Sequence, residues 1–416
     1  MVAPLDGVRV VEVANWMAAP GAAALLADLG ADVVKVEPLR GDAMRGATRQ
    51  PAVPEGEPPL DAAFALDNRG KRSIAVALNQ AEGTDLVRRL AAGADVFLCN
   101  LLPARQARYG LDPATLLGAN PRLVHATLTG YGTHGPDVAR PGYDLTAFFG
   151  RGAVLDAMSE PVNAAPPRLR PAQGDHTAAL ALFGAVLAAL RLVEATGEGQ
   201  VVDVSLLGAA AWTMSSDLSA TLVDGVRPTP EGRIARPHAL HGGFRCADSR
   251  WILLFMPEPH WWPAFCTAVG RPEWIEDERF ADRAARSANM PELTRLLDEL
   301  FASRPLKEWC ALFDQHGFIW GPASTVSEFA DDEQAAADGL FPEISEPSGR
   351  RYRTVRAPFR VQGADIAPRG PAPAVGEHTT AVLTALGVQA EDLSRLATDG
   401  VIGGHPGPRA GEGAVG

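Results

Sequence analysis

The sequence predicts an α/β fold built around a mostly parallel sheet. Runs rich in Val and Ile alternate along the chain with runs of helical pattern, and strands of this composition are typical of a sheet buried on both faces. At the start of the chain, "VRVVEV" (8–13), "APGAAALLADLG" (19–30) and "ADVVKVE" (31–37) predict a strand, a helix and a second strand. The chain therefore opens with a βαβ unit.

The same alternation continues downstream. "RSIAVAL" (72–78) predicts a third strand and "QAEGTDLVRRLAAG" (80–93) a helix. "ADVFLCN" (94–100) and "RLVHATLTGYG" (122–132) predict two more strands. These elements extend the first unit into one larger sheet.

Ligands of parallel sheets bind at the carboxyl ends of the strands, which here are the turns after Val13, Glu37, Asn100 and Gly130. The turn after Val13 lacks the G-x-G-x-x-G signature of dinucleotide binding, and the sequence contains no G-x-x-x-x-G-K-[ST] phosphate-binding loop. NAD-dependent and P-loop chemistry are therefore not expected.

Composition restricts the class of partner. The 416 residues are 46% hydrophobic and 21% charged, which is typical of a globular enzyme, and the net charge of -12 argues against a nucleic-acid or membrane surface. The sequence shows no signal peptide, no apolar run of the roughly 18 residues that a membrane span needs, and no paired-cysteine metal motif. We expect a cytoplasmic protein that binds small molecules and packs its cysteines in the core.

A change in composition predicts the domain boundary. Residues 223–243 concentrate Pro, Gly and Arg, as linkers do, and most of the tryptophans follow them. Further on, "YRTVRAPFRV" (352–361) predicts strands. We predict a large domain over 1–224, a smaller domain over 225–325, a C-terminal segment over 326–402 and a disordered tail over 403–416.

One aspartate precedes a long apolar helix. Asp175 follows Gly174, and thirteen consecutive apolar or small residues occupy positions 178–190. An aspartate at a helix start is a preferred N-cap, whose carboxylate accepts backbone N–H bonds at the positive end of the helix dipole. The same donors favour the ionised form, which a carboxylate nucleophile requires. The pattern predicts a buried helix and leaves both roles open for Asp175.

The order of several motifs resembles the class III CoA-transferases of the CaiB/BaiF type, the family of formyl-CoA transferase and L-carnitine CoA-transferase. The resemblance runs over nearly the whole chain and depends on the order and spacing of the motifs together. These motifs are "LDGVRVVEV", "LLADLGADVVKVEP", "NRGKRSIAVAL", "GYG", "PGYDL", "GDHTAALAL", "TGEGQVVDVSLL", "EDERFADRAARSAN" and "VGEHT".

In that family the aspartate at the position of Asp175 is the covalent nucleophile. The resemblance implies that its carboxylate attacks an acyl-CoA thioester, forms an aspartyl-CoA thioester and passes CoA to an acceptor carboxylic acid. CoA is then a substrate, and no metal, flavin or nicotinamide is needed. The resemblance also implies a Rossmann-like large domain, to which the C-terminal segment returns, a smaller α+β domain and an interlocked homodimer.

Residues that match CoA contacts of the family are spread over the first half of the chain. For Trp16 and Met17 the alternative is plain core packing, and for Arg40 and Arg45 it is a solvated basic surface. The CoA-binding candidates are Asn15, Trp16, Met17, Ala18, Arg40, Arg72, Val76, Asn100, Leu101, Arg108 and Tyr109.

Departures from formyl-CoA transferase argue against a formyl or oxalyl substrate. Pro38 stands where that enzyme has an arginine, Asn79 stands where it has a lysine, and its glycine-rich loop is reduced to "HGG" (241–243). Trp16 and Met17, with Phe148 and Phe149, instead suggest an apolar or bulky acyl pocket.

Two alternative functions remain. The α-methylacyl-CoA racemases look similar over most of the chain, but they use a histidine base in a "GHD" triplet where this chain has "GYD" with Tyr143. A tyrosine of ordinary pKa near 10 is a poor base at neutral pH, and His176 points away from its neighbour Asp175 on a helix. A non-catalytic CoA-binding protein is the second alternative, and the presence of Asp175 argues against it.

Overall fold

The computed structural model describes residues 2–47, 60–158, 169–170, 172–225 and 238–404. The described residues up to 156, between 169 and 225, and from 338 onward form one compact unit. Those between 238 and 337 form a second. We call these the large unit and the small unit.

Strands and helices alternate through the first part of the chain, as predicted. The strands are β1 (Arg9–Val13), β2 (Asp32–Glu37), β3 (Arg72–Val76), β4 (Val96–Cys99), β5 (Val124–Thr129), β6 (Gln200–Ser205), β7 (His241–Arg245), β8 (Trp251–Phe255), β9 (Trp320–Pro322), β10 (Glu343–Ser345), β11 (Arg351–Arg353) and β12 (Ile402–Gly403). The helices are α1 (Ala18–Asp28), α2 (Ala62–Asn68), α3 (Ala81–Ala92), α4 (Pro103–Tyr109), α5 (Pro113–Ala119), α6 (Val154–Met158), α7 (Gln173–Thr196), α8 (Leu206–Thr213), α9 (Ser215–Asp224), α10 (Trp261–Ala268), α11 (Glu273–Glu276), α12 (Arg283–Ala288), α13 (Met290–Phe301), α14 (Leu306–His316), α15 (Val326–Ala330), α16 (Glu333–Ala337), α17 (Thr379–Ala385) and α18 (Ala390–Thr398). A π-helical segment, Asp144–Arg151, lies between β5 and α6.

The large unit is built on a seven-stranded sheet in the order β12-β3-β2-β1-β4-β5-β6. Strands β1 to β6 run parallel, and the short β12 joins antiparallel to β3 at the edge. β4 and β5 are buried along their whole length, because helices cover both faces of a parallel sheet. The predicted α/β class with a mostly parallel sheet is therefore confirmed.

Helix α7 is buried along one face only, which corrects the prediction of a buried helix. Ala178, Leu182 and Val186 lie in the same core cluster as the side chains of α1, whereas Leu180 and Leu192 are 43% and 50% exposed. The helix is also long and apolar enough to span a membrane. Core helices of globular proteins meet the same requirements, so length and composition alone are weak evidence for a span.

Two segments differ from their predictions. Within "YRTVRAPFRV", Arg351–Arg353 forms β11, and the chain then leaves the sheet ahead of Pro358, which has no N–H to donate to a strand ladder. In the predicted tail, Gly403 pairs with Ala75 in the large sheet. Residues 405–416 of that tail and 226–237 of the predicted linker lie outside the described residues.

The small unit combines the antiparallel sheet β7-β8-β9 with helices α10 to α16 around an aromatic core. Phe265, Phe301, Trp309 and Phe313 are fully buried there and contact one another. Rings of this size bury a large apolar area, which suits a core of few residues. The cysteines of the chain are all free: Cys99, Cys246 and Cys266 are buried, as predicted for packing residues, and Cys310 is partly buried.

Candidate active site

The turns at the carboxyl ends of β1, β2, β4 and β5 line one cleft in the large unit. The cleft has a volume of about 540 Å³ and includes both turns that flank the reversal of strand order between β1 and β4, where α/β sheets hold their ligands. Asp175 from α7 and Leu206 from α8 also line it. The other lining residues are Asn15, Trp16, Ala18, Pro38, Arg40, Gly41, Ala43, Asn100, Leu101, Leu102, Ala104, Arg105, Leu128, Thr129, Gly130, Pro141, Gly142 and Tyr143.

The turn between β1 and α1 is held in an uncommon backbone conformation. Trp16 has a φ of 69°, in the left-handed region that bulky side chains rarely adopt. Its N–H donates to Asp42 Oδ1 at 3.1 Å. Next to it, Asn15 N–H donates to Asn100 Oδ1 at 3.2 Å, and Asn100 Nδ2 donates back to the Asn15 carbonyl at 2.7 Å. These bonds fix the β1 turn to the turns after β2 and β4.

Beneath this turn lies a set of fully buried charges, Glu12, Lys35, Asp42 and Lys71, which we call the buried ion cluster. Lys35 Nζ lies 2.9 Å from Glu12 Oε1 and 2.8 Å from Asp42 Oδ2, and Lys71 Nζ lies 2.6 Å from Glu12 Oε2. Two carboxylates thus face two ammonium groups, as buried charges require. Asp42 belongs to this cluster and also holds Trp16, so the cluster supports the cleft.

The pairing in the buried ion cluster determines how its groups titrate. Burial alone would raise the pKa of Glu12, but Lys35 and Lys71 beside it lower the pKa below its ordinary value. Burial lowers the pKa of Lys71 to about 8, against the opposing attraction of Glu12. Glu12 and Lys71 are therefore ionised and paired at neutral pH.

Asp175 lies in the first turn of α7, but it is not the N-cap that the sequence suggested. The helix begins at Gln173, and Ala172 occupies the N-cap position with a left-handed φ of 78°. Ala172 N–H donates to Asp144 Oδ2 at 2.8 Å, so a carboxylate from the π-helical segment satisfies this end of the helix. Among the described residues, none donates a hydrogen bond to the Asp175 carboxylate.

The electrostatic surroundings of Asp175 also differ from the expectation. Burial, together with the nearby carboxylates of Asp144 and Asp67, raises the pKa of Asp175 to about 7 against a lowering effect of His176. Helix-end donors were expected to favour the ionised form, but they are not bonded to this carboxylate, and desolvation dominates. Asp175 therefore titrates close to neutral pH.

His176 turns away from the cleft toward α2. Its Nε2 lies 3.1 Å from Asp67 Oδ1, and Asp67 is buried with 3% of its side chain exposed. Burial lowers the pKa of His176, but Asp67 and Asp175 outweigh this effect and the pKa is raised above its ordinary value. We call Asp67, Asp144, Asp175 and His176 the carboxylate cluster.

Seven of the predicted site residues meet at the cleft. Arg40 and Arg105, the latter not predicted, are the two exposed arginines of the lining, and neither forms an ion pair with another described residue. Guanidinium groups without a carboxylate partner suit phosphate oxygens. The predicted residues that line the cleft are Asn15, Trp16, Ala18, Arg40, Asn100, Leu101 and Asp175.

The other predicted contacts lie elsewhere. Met17 is buried in a small apolar cluster with Phe64, which agrees with the core-packing alternative, and Val76 is buried in the core of the sheet. Arg72 pairs with Asp32 through Nε at 2.8 Å on the surface. Arg108 and Tyr109 end α4, where the arginine lies over the tyrosine ring and outside the cleft lining.

Arg45, a further phosphate candidate, is paired with a carboxylate and packed on an aromatic ring. Its guanidinium donates to Glu37 at 2.8 and 2.7 Å and lies 3.8 Å from the centre of the Phe64 ring. Phe148 and Phe149, which the sequence suggested for an acyl pocket, are buried in the core cluster and are not among the residues that line the cleft. The sequence showed that Arg45 is basic and that Phe148 and Phe149 are apolar, but its periodicity did not show which way these side chains point.

Tyr143 and Trp16 form the aromatic part of the cleft. Their ring centroids are 5.7 Å apart and the rings are nearly perpendicular, which is a favoured arrangement for aromatic pairs. Tyr143 is 54% exposed, so its ring remains available to a ligand. The sequence identified Tyr143 only as a missing base, and no local pattern pointed to Asp67, which lies more than 100 residues from its partner.

The fold and the cleft define an α/β protein that takes its ligand at the carboxyl ends of parallel strands. Residues 5–379 match CoA-transferase family III, and the chain belongs to that family. This confirms the resemblance found in its motifs.

Similar proteins cover almost the whole chain. The (R)-2-hydroxy-4-methylpentanoate CoA-transferase of Clostridioides difficile is 30% identical over 401 residues, covering 96% of this chain and 99% of that protein. The succinate–glutarate CoA-transferase of Agrobacterium fabrum is 31% identical over 398 residues, covering 95% and 98%. A crystal structure of a CaiB/BaiF family protein from Brucella suis has a TM-score of 0.82 and 33% identity, covering 93% of this chain and 100% of that one. The named relatives act on different acids.

Proposed function

We propose that this protein is an acyl-CoA:carboxylate CoA-transferase in which Asp175 is the covalent nucleophile. The observation that carries the proposal is the Asp175 carboxylate, which lines the cleft and receives no hydrogen bond from the other described residues. A carboxylate left free in this way can approach a thioester carbonyl. Membership of CoA-transferase family III supports a CoA thioester as the donor substrate.

The first half of the reaction loads the enzyme with CoA. The Asp175 carboxylate attacks the carbonyl carbon of the acyl-CoA, the C–S bond breaks, and a mixed anhydride and the CoA thiolate result. The thiolate then attacks the aspartyl carbonyl of the anhydride. This step releases the donor carboxylate and leaves an aspartyl-CoA thioester, so the thioester bond is conserved.

The second half repeats these steps with the acceptor acid. Its carboxylate attacks the aspartyl thioester, which releases the CoA thiolate and forms a second anhydride. The thiolate attacks the acceptor carbonyl of this anhydride, giving the new acyl-CoA and restoring the Asp175 carboxylate. Proton transfer is not required, which fits a cleft that has Tyr143 where a racemase has its histidine base.

The lining of the cleft provides contacts for both ends of CoA. Arg40 and Arg105, exposed and free of ion pairs with other described residues, are the proposed contacts for the phosphates. Asn15, Ala18 and Leu101 lie at the ends of β1 and β4 and would line the path of the pantetheine arm. Arg72, Val76, Arg108 and Tyr109 have no part in the proposal, since they lie outside the lining.

Mass spectrometry tests the proposal directly. The protein is incubated with acyl-CoAs of different chain length and then with hydroxylamine, which converts an aspartyl thioester or anhydride to a stable hydroxamate. We expect the hydroxamate on the peptide that contains Asp175, and none in Asp175→Asn, which keeps the size of the side chain. A trapped product at another residue, or exchange of the substrate α-proton for deuterium without any trapped product, would contradict the proposal.

We also infer that the enzyme is a homodimer, as the resemblance implied, and that it is cytoplasmic, as its composition suggested. Trp212, Leu222 and Val223 on α8 and α9 are 81%, 83% and 88% exposed, and Leu180 and Leu192 on α7 extend the apolar surface. Large exposed apolar groups of this kind mark interfaces. Light scattering should give twice the chain mass, and Trp212→Asp should shift it toward the monomer, while Arg395→Ala, on α18, should not.

Free cysteines suit a reducing cytoplasm.

A further inference from the structure

His176 and Asp67 form a pair that the proposed reaction steps do not use. Asp67 is 3% exposed in its side chain, and its Oδ1 is 3.1 Å from His176 Nε2. The second oxygen, Oδ2, is buried and has no hydrogen-bond partner among the described residues. Gly21 of α1 packs so closely here that a Cβ would lie 3.2 Å from Asp67 Oδ1 and 3.6 Å from His176 Cδ2. The charge of the buried Asp67 carboxylate is therefore compensated through its hydrogen bond with His176.

The charges around this pair are otherwise unbalanced. Asp144, from the π-helical segment, is a second carboxylate near Asp175 of α7 and raises the pKa of Asp175. The cation nearest by sequence on α2, Arg69, is committed to Asp28, at 2.9 and 2.6 Å. Lys71 is committed to Glu12 in the buried ion cluster. Because Arg69 and Lys71 are paired with other carboxylates, His176 is the group that can offset the negative charge around Asp175.

We propose that the His176–Asp67 pair is a positioning dyad for the nucleophile, in which the His176 imidazolium, held by Asp67, offsets part of the negative charge around the neighbouring Asp175 carboxylate. The inference rests on the proposed role of Asp175 and adds the residues that tune it. His176 is not among the residues that line the cleft, so its proposed effect is exerted through Asp175.

The dyad makes a specific prediction about charge. Replacing His176 by Gln keeps an N–H donor for Asp67 but removes the positive charge, so Asp67 adds its full negative charge to the surroundings of Asp175. Replacing both residues, His176→Gln with Asp67→Asn, removes one charge of each sign and keeps the hydrogen bond. The single variant should therefore be impaired at low pH, and the double variant should recover.

The first measurement needs no catalysis. In full-length protein carrying ¹³C-labelled histidine, the His176 ring resonance, identified by its loss in His176→Gln, is titrated by NMR. We expect its pKa to fall by about one pH unit in Asp67→Asn and to fall also in Asp175→Asn, because coupling between two groups is reciprocal. An unchanged His176 pKa in Asp175→Asn would overturn the inference, whether or not Asp175 forms an adduct.

The second measurement follows the rate of hydroxylamine-trapped adduct formation against pH. In His176→Gln the acidic limb should move up by about one pH unit, giving about tenfold slower formation on that limb, and the double variant should return close to wild type. A purely structural role for the pair would leave the limb in place or make the double variant worse, and either result would overturn the inference. Absence of an adduct in the wild type would refute the proposed function, while the NMR titration would still decide the coupling.

Discussion

The buried ion cluster sets two carboxylates against two ammonium groups, whereas the carboxylate cluster sets three carboxylates against one imidazole. The first is closed to solvent, with every paired side chain 0% exposed. The second opens into the cleft through Asp175. Both lie in the large unit, and they differ in the balance of charge and in exposure, since the His176 side chain of the second is 40% exposed.

This difference explains why the pKa of Glu12 is lowered while the pKa of Asp175 is raised. Burial acts on Glu12 as it does on Asp175, but Lys35 and Lys71 reverse its effect on Glu12 and lower the pKa. At Asp175, burial and Asp144 act together, and the pKa rises to about 7. Balanced buried charge supports the fold, while unbalanced buried charge brings the pKa of a carboxyl group close to neutral pH, as is common at functional sites.

The largest expected effect comes from removing the reactive group of the unbalanced cluster. Asp175→Asn should reduce CoA transfer by at least about 10³-fold, since an amide cannot form the anhydride. It should leave the free energy of unfolding equal to or above that of the wild type, because it removes a desolvated charge. Coupled transferase assays and urea unfolding measure the two quantities. An unfolding energy that falls with the activity would mean that Asp175 is structural.

The balanced cluster should respond in the opposite way. Lys35→Met leaves Glu12 and Asp42 short of a partner in the interior, and we expect the free energy of unfolding to fall by about 3–5 kcal/mol. Arg395→Ala is the matched control, because Arg395 pairs with Glu82 at the surface and should cost less than about 1 kcal/mol. If urea unfolding showed equal losses of unfolding free energy in the two variants, the buried ion cluster would be no more important for stability than a surface ion pair.

The dependence of stability on pH sharpens the comparison. An acid whose pKa is raised in the folded state binds its proton more tightly there than in the unfolded state. This binding adds to the free energy of unfolding below the ordinary pKa of 3.8, and the added stability is lost as the pH rises toward about 7. The wild type should therefore lose stability relative to Asp175→Asn between pH 4 and pH 7. Thermal unfolding of both proteins across this range checks the sign, and a constant difference would contradict it.

The smallest expected effect tests the packing around the dyad. Gly21→Ala places a methyl group 3.2 Å from Asp67 Oδ1 and 3.4 Å from Ala179 Cβ, and we expect a loss of about 1–2 kcal/mol with a displaced acidic limb. Gly184→Ala, in the exposed part of α7 with nothing within 4 Å, is the control and should stabilise by about 0.5–1 kcal/mol. If both variants changed the unfolding free energy in the same direction, helix propensity and not close packing would govern the effect at Gly21 and at Gly184. Denaturant unfolding measures this.

Several site residues were predictable because the relevant signal is local. A turn that follows a buried parallel strand lies at one edge of the sheet, and this placed Asn15, Trp16 and Asn100 near one another before any contact was known. Asp175 was predictable from its motif and its place before a helix. Which residue caps the helix was not predictable, because the N-cap residue Ala172 donates to Asp144, which lies 28 positions before it along the chain.

The sequence by itself determined the alternation of strands and helices, the mostly parallel sheet and the family, since each depends on periodicity or on motif order along the chain. Tertiary structure alone decided which charges pair: Lys71 with Glu12, His176 with Asp67, and Arg45 with Glu37. Whether a charged side chain is paired, free or desolvated depends on neighbours that folding brings from distant segments. That is why the proposed nucleophile could be named from the sequence, while the charged groups around it could not.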